Sequence, residues 1–106
     1  MAGGTISLSG EFDDVNNEGY VSGAVAVTSI AVEAKVGASR LSGREALTIT
    51  NKGAKTIYYG PSGVTSATGD PLFKDQFVSL PSGDNIGVFV VTNGADTATV
   101  IVQEHA

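Results

Sequence analysis

The sequence of 106 residues predicts an all-β fold: an antiparallel β-sandwich or jelly-roll-like domain preceded by an extended N-terminal arm. Short segments alternate apolar and polar residues with a period of two, as strands with one buried face do. Glycine, proline and asparagine separate these segments at short intervals, which is typical of antiparallel sheets joined by turns. The chain has no tryptophan and few aromatic residues. Its core must therefore be built mainly from valine, isoleucine, leucine and alanine, which pack well on pleated sheets.

We place the arm at residues 1–22 and a single β-sandwich domain at residues 23–106. Glycines and the acidic-amide cluster at residues 13–18 oppose regular structure in the arm. Its isolated apolar residues are nevertheless more than a fully disordered tail usually holds. Four acidic residues and no Lys or Arg lie in the arm, so the acidity of the chain is local. Two interpretations stay open: a loose end with a short first strand, or an arm that orders on a neighbouring subunit.

Residues 23–36 are predicted to form a long strand, or two strands with a bend near Thr28–Ser29. The even positions make one mainly apolar face, and Glu33 and Lys35 lie on the other. Alanines in this stretch would allow a helix. The β-branched residues and the absence of an N-cap before a helical stripe favour a strand instead.

A Ser/Gly-rich loop at residues 37–44 separates this region from the next alternating segments. Residues 45–50 and 56–59 alternate on either side of a turn with a glycine, which predicts a β-hairpin. The glycine-rich segment from residue 60 to residue 72 is predicted to be a long loop. Pro61 and Pro71 lack a backbone donor, so neither belongs in a central strand.

The C-terminal third contains three further predicted strands. Residues 76–80 form a short strand, and a turn follows at residues 81–84. Residues 86–91 are apolar on both faces, so this strand should be central and covered on both sides. Residues 92–96 contain the Asn-Gly signal of a hairpin connection. The last strand is expected at residues 97–103.

No candidate catalytic or metal-binding motif in the sequence is complete. The chain has no cysteine, which removes disulfides, cysteine-ligated zinc and thiol chemistry. His105, the only histidine, stands next to the C-terminus, where a general base is poorly held. The stretch Asp14–Gly19 resembles the start of a calcium loop, but Val25 occupies the position of the bidentate glutamate. A solvated acidic arm is therefore favoured over loose calcium binding through Asp13, Asp14 and Glu18. Gly60–Gly63 lacks the Gly-Lys-Ser/Thr ending of a phosphate loop. We expect no enzyme, no cofactor and no metal site.

Composition also argues against nucleic-acid and membrane partners. Six Lys and Arg residues are scattered along a chain of net charge −5, whereas nucleic-acid binding requires clustered positive charge. No segment approaches the ~20 apolar residues of a membrane span. The first residues have no basic region followed by an apolar stretch, so we expect no signal peptide and synthesis in a cytosol.

The partner-binding candidates are aromatic, apolar and arginine side chains in the arm and loops. Aromatic residues at a strand end can anchor a protein interface or stack on sugars. Alternation puts one of Tyr58 and Tyr59 inside and the other outside, without deciding which. Two arginines flank a Ser/Gly loop, where they could pair with carboxylates of a partner or simply be solvated. The candidates are Phe12, Val15, Tyr20, Arg40, Arg44, Tyr58, Tyr59 and Phe73.

Residues 44–104 resemble a type of small bacteriophage virion protein. Such proteins carry a stretch like Arg-x-x-Leu-x-Ile-x-Asn, then Ile-Tyr-x-Gly-x-Ser-Gly-Val-Thr, then Thr-Gly-x-Pro-Leu, followed by a short strand, a Gly-Asp turn and two final strands. The sequence departs from the pattern at Asp75, near where such proteins often have Pro-Gly. The matching residues are Arg44, Leu47, Ile49, Asn51, Ile57, Tyr58, Gly60, Ser62, Gly63, Val64, Thr65, Thr68, Gly69, Pro71 and Leu72.

This resemblance implies a structural part of a phage particle, with a capsid decoration (cement) protein as the leading expectation. Such proteins are small β-sandwiches or jelly rolls, often trimers, that bind across subunit junctions of the expanded shell. The implied partner is the major capsid protein, and the implied location is the capsid surface of the virion. Two alternatives stay open: a tail, baseplate or fibre-associated module, and a carbohydrate-binding module that contacts host surface glycans.

Overall fold

The computed structural model describes residues 19–106, which form two four-stranded antiparallel sheets. The first sheet has the strand order β1-β8-β3-β6 and the second has β2-β7-β4-β5. This is the order of a jelly roll, in which eight strands fold as two Greek keys around one core. The predicted all-β sandwich is confirmed. The strands are β1 (Tyr20–Val27), β2 (Val32–Glu33), β3 (Ala46–Asn51), β4 (Ile57–Gly60), β5 (Asp70–Leu72), β6 (Phe77–Leu80), β7 (Phe89–Val91) and β8 (Ala98–His105).

The core lies between the two sheets and consists of aliphatic side chains, as the composition predicts. Leu47 and Ile49 of β3 are fully buried, and so are the inward-facing valines of β8. Ile57 and Val90 close the core from the second sheet. β7 lies between β2 and β4, and Val90 and Val91 point to its opposite faces and are both buried. The prediction of a central strand covered on both sides is therefore confirmed for Phe89–Val91, whereas Ile86, at the start of the predicted strand, precedes β7 and is 56% exposed.

β1 begins at Tyr20, three residues before the predicted domain boundary at residue 23. Its inward-facing residues are the odd ones, Val21 to Val27, while Ala24 and Ala26 are exposed. The prediction that the even positions form the apolar inner face is wrong here. It holds after the break at residues 28–31, where Ala34 is fully buried. The break shifts the phase of the alternation by one residue as the chain changes sheets.

Both predicted hairpins are wrong, because each connection crosses from one sheet to the other. β3 pairs with β6 and β8, whereas β4 pairs with β5 and β7. The Asn93-Gly94 turn likewise connects β7 to β8, which lie in different sheets. The local turn chemistry was identified correctly, since Gly94 has a φ of 57°. Strand pairing is non-local, and both edges of β3 and of β8 are occupied by other strands.

Asn51 fixes the crossing from β3 to β4. Its buried side-chain amide donates to the carbonyl oxygens of Lys55 and Leu72, both at 2.9 Å. Its side-chain oxygen accepts from the backbone N–H of Gly53 at 2.9 Å. A Cβ at Gly53 would approach the Cβ of Ala98 to 2.8 Å, so only glycine fits this close approach. These contacts give the Asn and the following glycine a structural role.

The glycine-rich segment after β4 packs onto the outside of the second sheet. Val64 is buried, and a Cβ at either Gly60 or Gly69 would meet its side chain at 2.8 Å. Thr65 and Thr68 hydrogen-bond to each other's backbone. The last three residues of the predicted loop form β5, and Pro71 lies in it at the sheet edge. Proline is tolerated there because an edge strand can lose one donor.

Candidate interaction surface

The outward side of the first sheet is a broad surface without charged strand residues, which we call the outer face. The pairing register sets its composition, because residues directly opposite each other project to the same side of a sheet. None of its residues is Asp, Glu, Lys or Arg. Its members are Tyr20, Ser22, Ala24 and Ala26 of β1, Thr99, Ile101, Gln103 and His105 of β8, Ala46, Thr48 and Thr50 of β3, and Phe77 and Ser79 of β6.

Apolar side chains on the outer face remain open to solvent. Phe77 is 67% exposed and Tyr20 is 47% exposed. One cross-strand row carries Ala24, Ile101, Thr50 and Phe77. Covering such a row removes apolar area from water and requires no charge to be desolvated.

Four polar side chains of the outer face are hydrogen-bonded in two pairs. The side-chain amide of Gln103 donates to the hydroxyl of Tyr20 at 2.7 Å. The hydroxyls of Thr48 and Ser79 lie 2.9 Å apart. The rings of Tyr20 and His105 stack with centroids 4.8 Å apart. A protein that covers the face therefore leaves these four side chains with hydrogen-bond partners.

The second sheet presents a different outer surface. The loop that carries Val64 packs against it near β4. At β2, an ion-paired cluster replaces apolar contact: Glu33 bonds to Arg40 and lies 3.7 Å from the Lys35 ammonium. Arg40 also donates to the Asp84 carbonyl at 3.1 Å. A polar depression of about 400 Å³ lies among Glu33, Lys35, Arg40, Ser42 and Asp84.

Arg40, one of the predicted partner contacts, is thus satisfied within the chain. Its guanidinium is bonded to Glu33 in a half-buried position. The hydrogen bond from Arg40 lowers the pKa of the Glu33 carboxyl from its ordinary value of 4.5, against the opposing effect of burial. Lys35 adds a smaller attraction in the same direction.

We expect Arg40→Gln to raise the pKa of Glu33 toward its ordinary value. A carboxyl whose pKa is lower in the folded state stabilises the fold above its unfolded pKa, and that contribution disappears as the pH falls through the folded pKa. In the wild type the loss therefore occurs below pH 4.5. NMR titration of the Glu33 side-chain carboxyl in both proteins measures the change. An unchanged Glu33 titration in the variant would contradict the assigned cause.

Arg44, a second predicted partner contact, is buried, and this prediction is wrong. Its side chain is 0% exposed, and Nη1 donates to Glu104 Oε2 at 2.7 Å. Its other donors bind the carbonyl oxygens of Ser82, Gly83 and Ile86 at 2.7–3.1 Å. A buried guanidinium requires a counter-charge and acceptors, and the chain supplies both.

Glu104 extends this buried ion pair to the β2–β3 connection. Its carboxylate accepts from the backbone N–H of Val36 at 3.2 Å and of Leu41 at 3.4 Å. Arg44 and Glu104 together bind two connections to β8: the one before β3 and the one after β6. The alternation Ala98, Val100, Val102 continues to Glu104, so the sequence did contain a signal of an inward carboxylate that requires a partner.

The remaining candidates are dispersed rather than gathered in one site. Tyr20 lies on the outer face, and Phe73 is 53% exposed in the β5–β6 turn. Tyr59 packs against the core, whereas Tyr58 points to the outside of the second sheet and is half-buried. This decides which of the two tyrosines faces inward. Phe12 and Val15 lie outside the described residues.

Sequence reasoning did not single out the residues that make the outer face distinctive. The alternation predicts Ala24, Ala26 and Ile101 to lie in strands, without assigning them to an interaction surface. The signal was the pattern of β1, where Ser22, Ala24 and Ala26 alternate with valines and a glycine. A strand with valine on one face and small uncharged residues on the other has no charged solvent face, which is unusual for a surface strand.

Comparisons with known proteins add no relative. No known family model matches the chain, and no curated protein matches it in sequence. Across residues 19–106, no group of three or more His, Asp or Glu side chains is placed to hold a metal ion. The same residues contain no helix of the length and hydropathy needed to cross a bilayer.

Proposed function

We propose that this chain is a structural virion protein, a decoration or cement protein that binds the mature capsid of a phage and stabilises it. The observation that carries the proposal is the outer face: broad, uncharged along its strands, partly apolar, and with four of its polar side chains hydrogen-bonded in pairs. A face of this kind suits a protein partner, because fully covered interface centres are depleted of charge and enriched in aromatic residues.

The resemblance to small phage virion proteins supports the same function. The residues that carry the resemblance and have defined contacts in the structure stabilise the fold. Arg44 and Asn51 hold connections between the sheets, and Gly60 and Gly69 accommodate Val64. A motif that specifies a rigid scaffold without chemistry fits a protein whose activity is binding. We accordingly propose no enzymatic activity and no cofactor.

The mechanism is thermodynamic. A protein that binds the expanded lattice and not its precursor stabilises the mature state by the free energy of binding at every occupied position. A stable interface of this class buries about 800 Å² per partner. Many copies on one shell allow each single contact to be weak. The partner is the major capsid protein, the location is the capsid surface, and the proposed oligomer is a trimer.

A matched pair of alanine variants tests the proposal on expanded shells of the phage that encodes the chain. Ala46 lies on the outer face in β3, away from the edge strand β1, and Ala67 lies in an exposed loop of the second sheet. We expect Ala46→Glu to weaken co-sedimentation with the shells at least tenfold, equivalent to about 1.4 kcal/mol, because the new charge becomes buried without a partner. Ala67→Glu should bind as the wild type does.

Each other outcome of this experiment has a definite meaning. Loss of binding with Ala67→Glu alone would place the contact at the loop end and contradict the role of the outer face. Failure of the wild-type protein to bind expanded shells, with binding to tail components instead, would favour the tail, baseplate or fibre-associated alternative. Immunogold labels confined to one vertex or to the tail would also exclude an all-over cement.

The carbohydrate-binding alternative has one observation in its favour. Phe73 and Phe77 are both more than half exposed around the same short turn, and exposed rings can stack on sugars. Tyr58 and Tyr59, the other candidates for this role, are half-buried. A glycan array without signal would count against this alternative, whereas binding abolished by Phe73→Ala would support it.

A further inference from the structure

β1 is an edge strand without the protection that the other edge strands of the sandwich show. β2 has two residues and carries Glu33, and β5 has three residues and carries Pro71. β6 has four residues. β1 has eight residues, Tyr20–Val27, with no charge and no proline. Shortness, charge and proline are the usual means by which natural edge strands avoid pairing with other chains, and β1 uses none of them.

The backbone groups on the open edge of β1 can be assigned from its pairing with β8. Ala106 donates its N–H to the Gly19 carbonyl at 2.8 Å, so in this antiparallel ladder the odd residues of β1 bond to β8. The even residues direct their N–H and C=O groups to the open edge. Among residues 19–106, no backbone group bonds to that edge between Tyr20 and Ala26.

We propose that the open edge of β1 accepts residues 5–9 from a second copy of this chain as a fifth strand of the first sheet. This segment reads Thr-Ile-Ser-Leu-Ser, which is uncharged and alternates with the period of a strand. With Ile6 and Leu8 directed inward, it continues the row of inward valines of β1. Thr5, Ser7 and Ser9 then extend the uncharged outer face.

Charge favours a second copy over the chain's own edge as the site of this strand. The connection at residues 10–19 carries four carboxylates and no basic residue. A tight reversal onto the chain's own β1 would bring these like charges together, whereas linkers of one charge sign repel themselves and extend. Fully extended, ten residues span about 35 Å, which exceeds the ~26 Å length of an eight-residue strand. The connection is therefore long enough to reach a neighbour.

In such an exchange, each copy donates its arm to a neighbour and receives another copy's arm at its own β1 edge. Main-chain hydrogen bonds supply the affinity in such strand addition, and alternate side chains supply the specificity. Pairing between copies needs no capsid. The experiments below therefore succeed or fail independently of the proposed function.

Disulfide trapping in the full chain tests the proposal, because the wild-type sequence has no cysteine. Ser7→Cys protein is mixed with Ser22→Cys, Ala24→Cys or Ala26→Cys protein and oxidised mildly. Opposed residues in adjacent strands have Cβ atoms about 4.5–5.5 Å apart, so one of the three partners should give a mixed disulfide dimer in high yield. Ala67→Cys serves as the exposed control and should not cross-link with Ser7→Cys.

Three outcomes would overturn the proposal. In a chain that carries both cysteines, an intramolecular disulfide alone would place the arm on its own edge. Disulfide dimers of Ala24→Cys with itself, in the same yield, would indicate that β1 pairs with β1 of the second copy. No cross-link at any of the three positions would exclude this edge.

Solution mass provides a second readout that requires no cysteine. We expect light scattering of the full chain to give an oligomer, and the variant Ile6→Asp/Leu8→Asp to give a monomer. Ala24→Pro should also give a monomer, because it removes a donor on the open edge and leaves the β8 ladder intact. Ala24→Lys repeats this test if the proline variant unfolds. A wild-type monomer at all concentrations, or an oligomer that persists in these variants, would contradict the proposal.

Discussion

Arg44→Met lowers the free energy of unfolding by about 3–5 kcal/mol, as expected when one partner of a buried ion pair is removed. The variant leaves the fully buried Glu104 carboxylate with only two long backbone donors, Val36 and Leu41. It also removes the guanidinium that donates hydrogen bonds to the carbonyl oxygens of Ser82, Gly83 and Ile86. Chemical denaturation monitored by circular dichroism, with the wild type in parallel, measures the loss.

Arg40→Met is the matched control for this experiment. Arg40 also pairs with a glutamate, but its side chain is 30% exposed, and ion pairs in contact with water contribute less to stability than the loss of one partner of a fully buried pair costs. We expect only a small change in the denaturation midpoint. Equal effects of the two substitutions would show that burial of the Arg44–Glu104 pair is not what makes Arg44 important.

Asn51→Asp lowers the free energy of unfolding by about 3 kcal/mol or more at neutral pH, although the two side chains have nearly the same shape. The wild-type amide donates to two carbonyl oxygens, those of Lys55 and Leu72. An aspartate at this position directs a carboxylate oxygen at both of them, so two hydrogen bonds become two repulsions in a fully buried site.

The pH dependence of the Asn51→Asp variant distinguishes this cause from a general loss of packing. Burial and the facing carbonyl oxygens disfavour the charged form and raise the pKa of the new carboxyl in the folded state. The folded state then binds more protons than the unfolded state, so stability increases as the pH falls toward the unfolded pKa. Denaturation at pH 4.5 and pH 7.5, corrected for the wild type, measures the difference. A pH-independent loss would contradict the assigned hydrogen bonds.

Local alternation was sufficient to predict most strands and the sandwich. β3 and β8 are predicted within two residues at each end, because most of their inward residues are aliphatic and their outward ones are mostly small or polar. Local chemistry also excluded Pro71 from a central strand, since proline cannot donate to a central ladder, although the sequence predicted a loop where β5 forms.

The pairing of strands could not be predicted from the same signals. The turn at Asn93-Gly94 has hairpin chemistry, yet it joins two sheets, because the neighbours of β8 are β1 and β3. Such choices depend on contacts between residues far apart in the sequence. Arg44 illustrates the same limit: its role depends on Glu104, which lies 60 residues further along the chain.

The outer face depends on the same non-local information. Tyr20, Ile101 and Phe77 come from three separate segments and share one surface only through the order β1-β8-β3-β6. The sequence singled out Tyr20 alone among them. Aromatic type was therefore a partial guide to the surface, whereas the absence of charge on alternate positions of the strands was the stronger signal.

Cryo-electron microscopy of the phage particle tests the central claim most directly. We expect density for this chain on the expanded capsid at subunit junctions, with the sheet that contains Ala24 and Ile101 turned toward the major capsid protein. Density confined to the tail or baseplate would contradict capsid decoration. Density on the capsid with the outer face turned to solvent would contradict the assignment of this face as the binding surface.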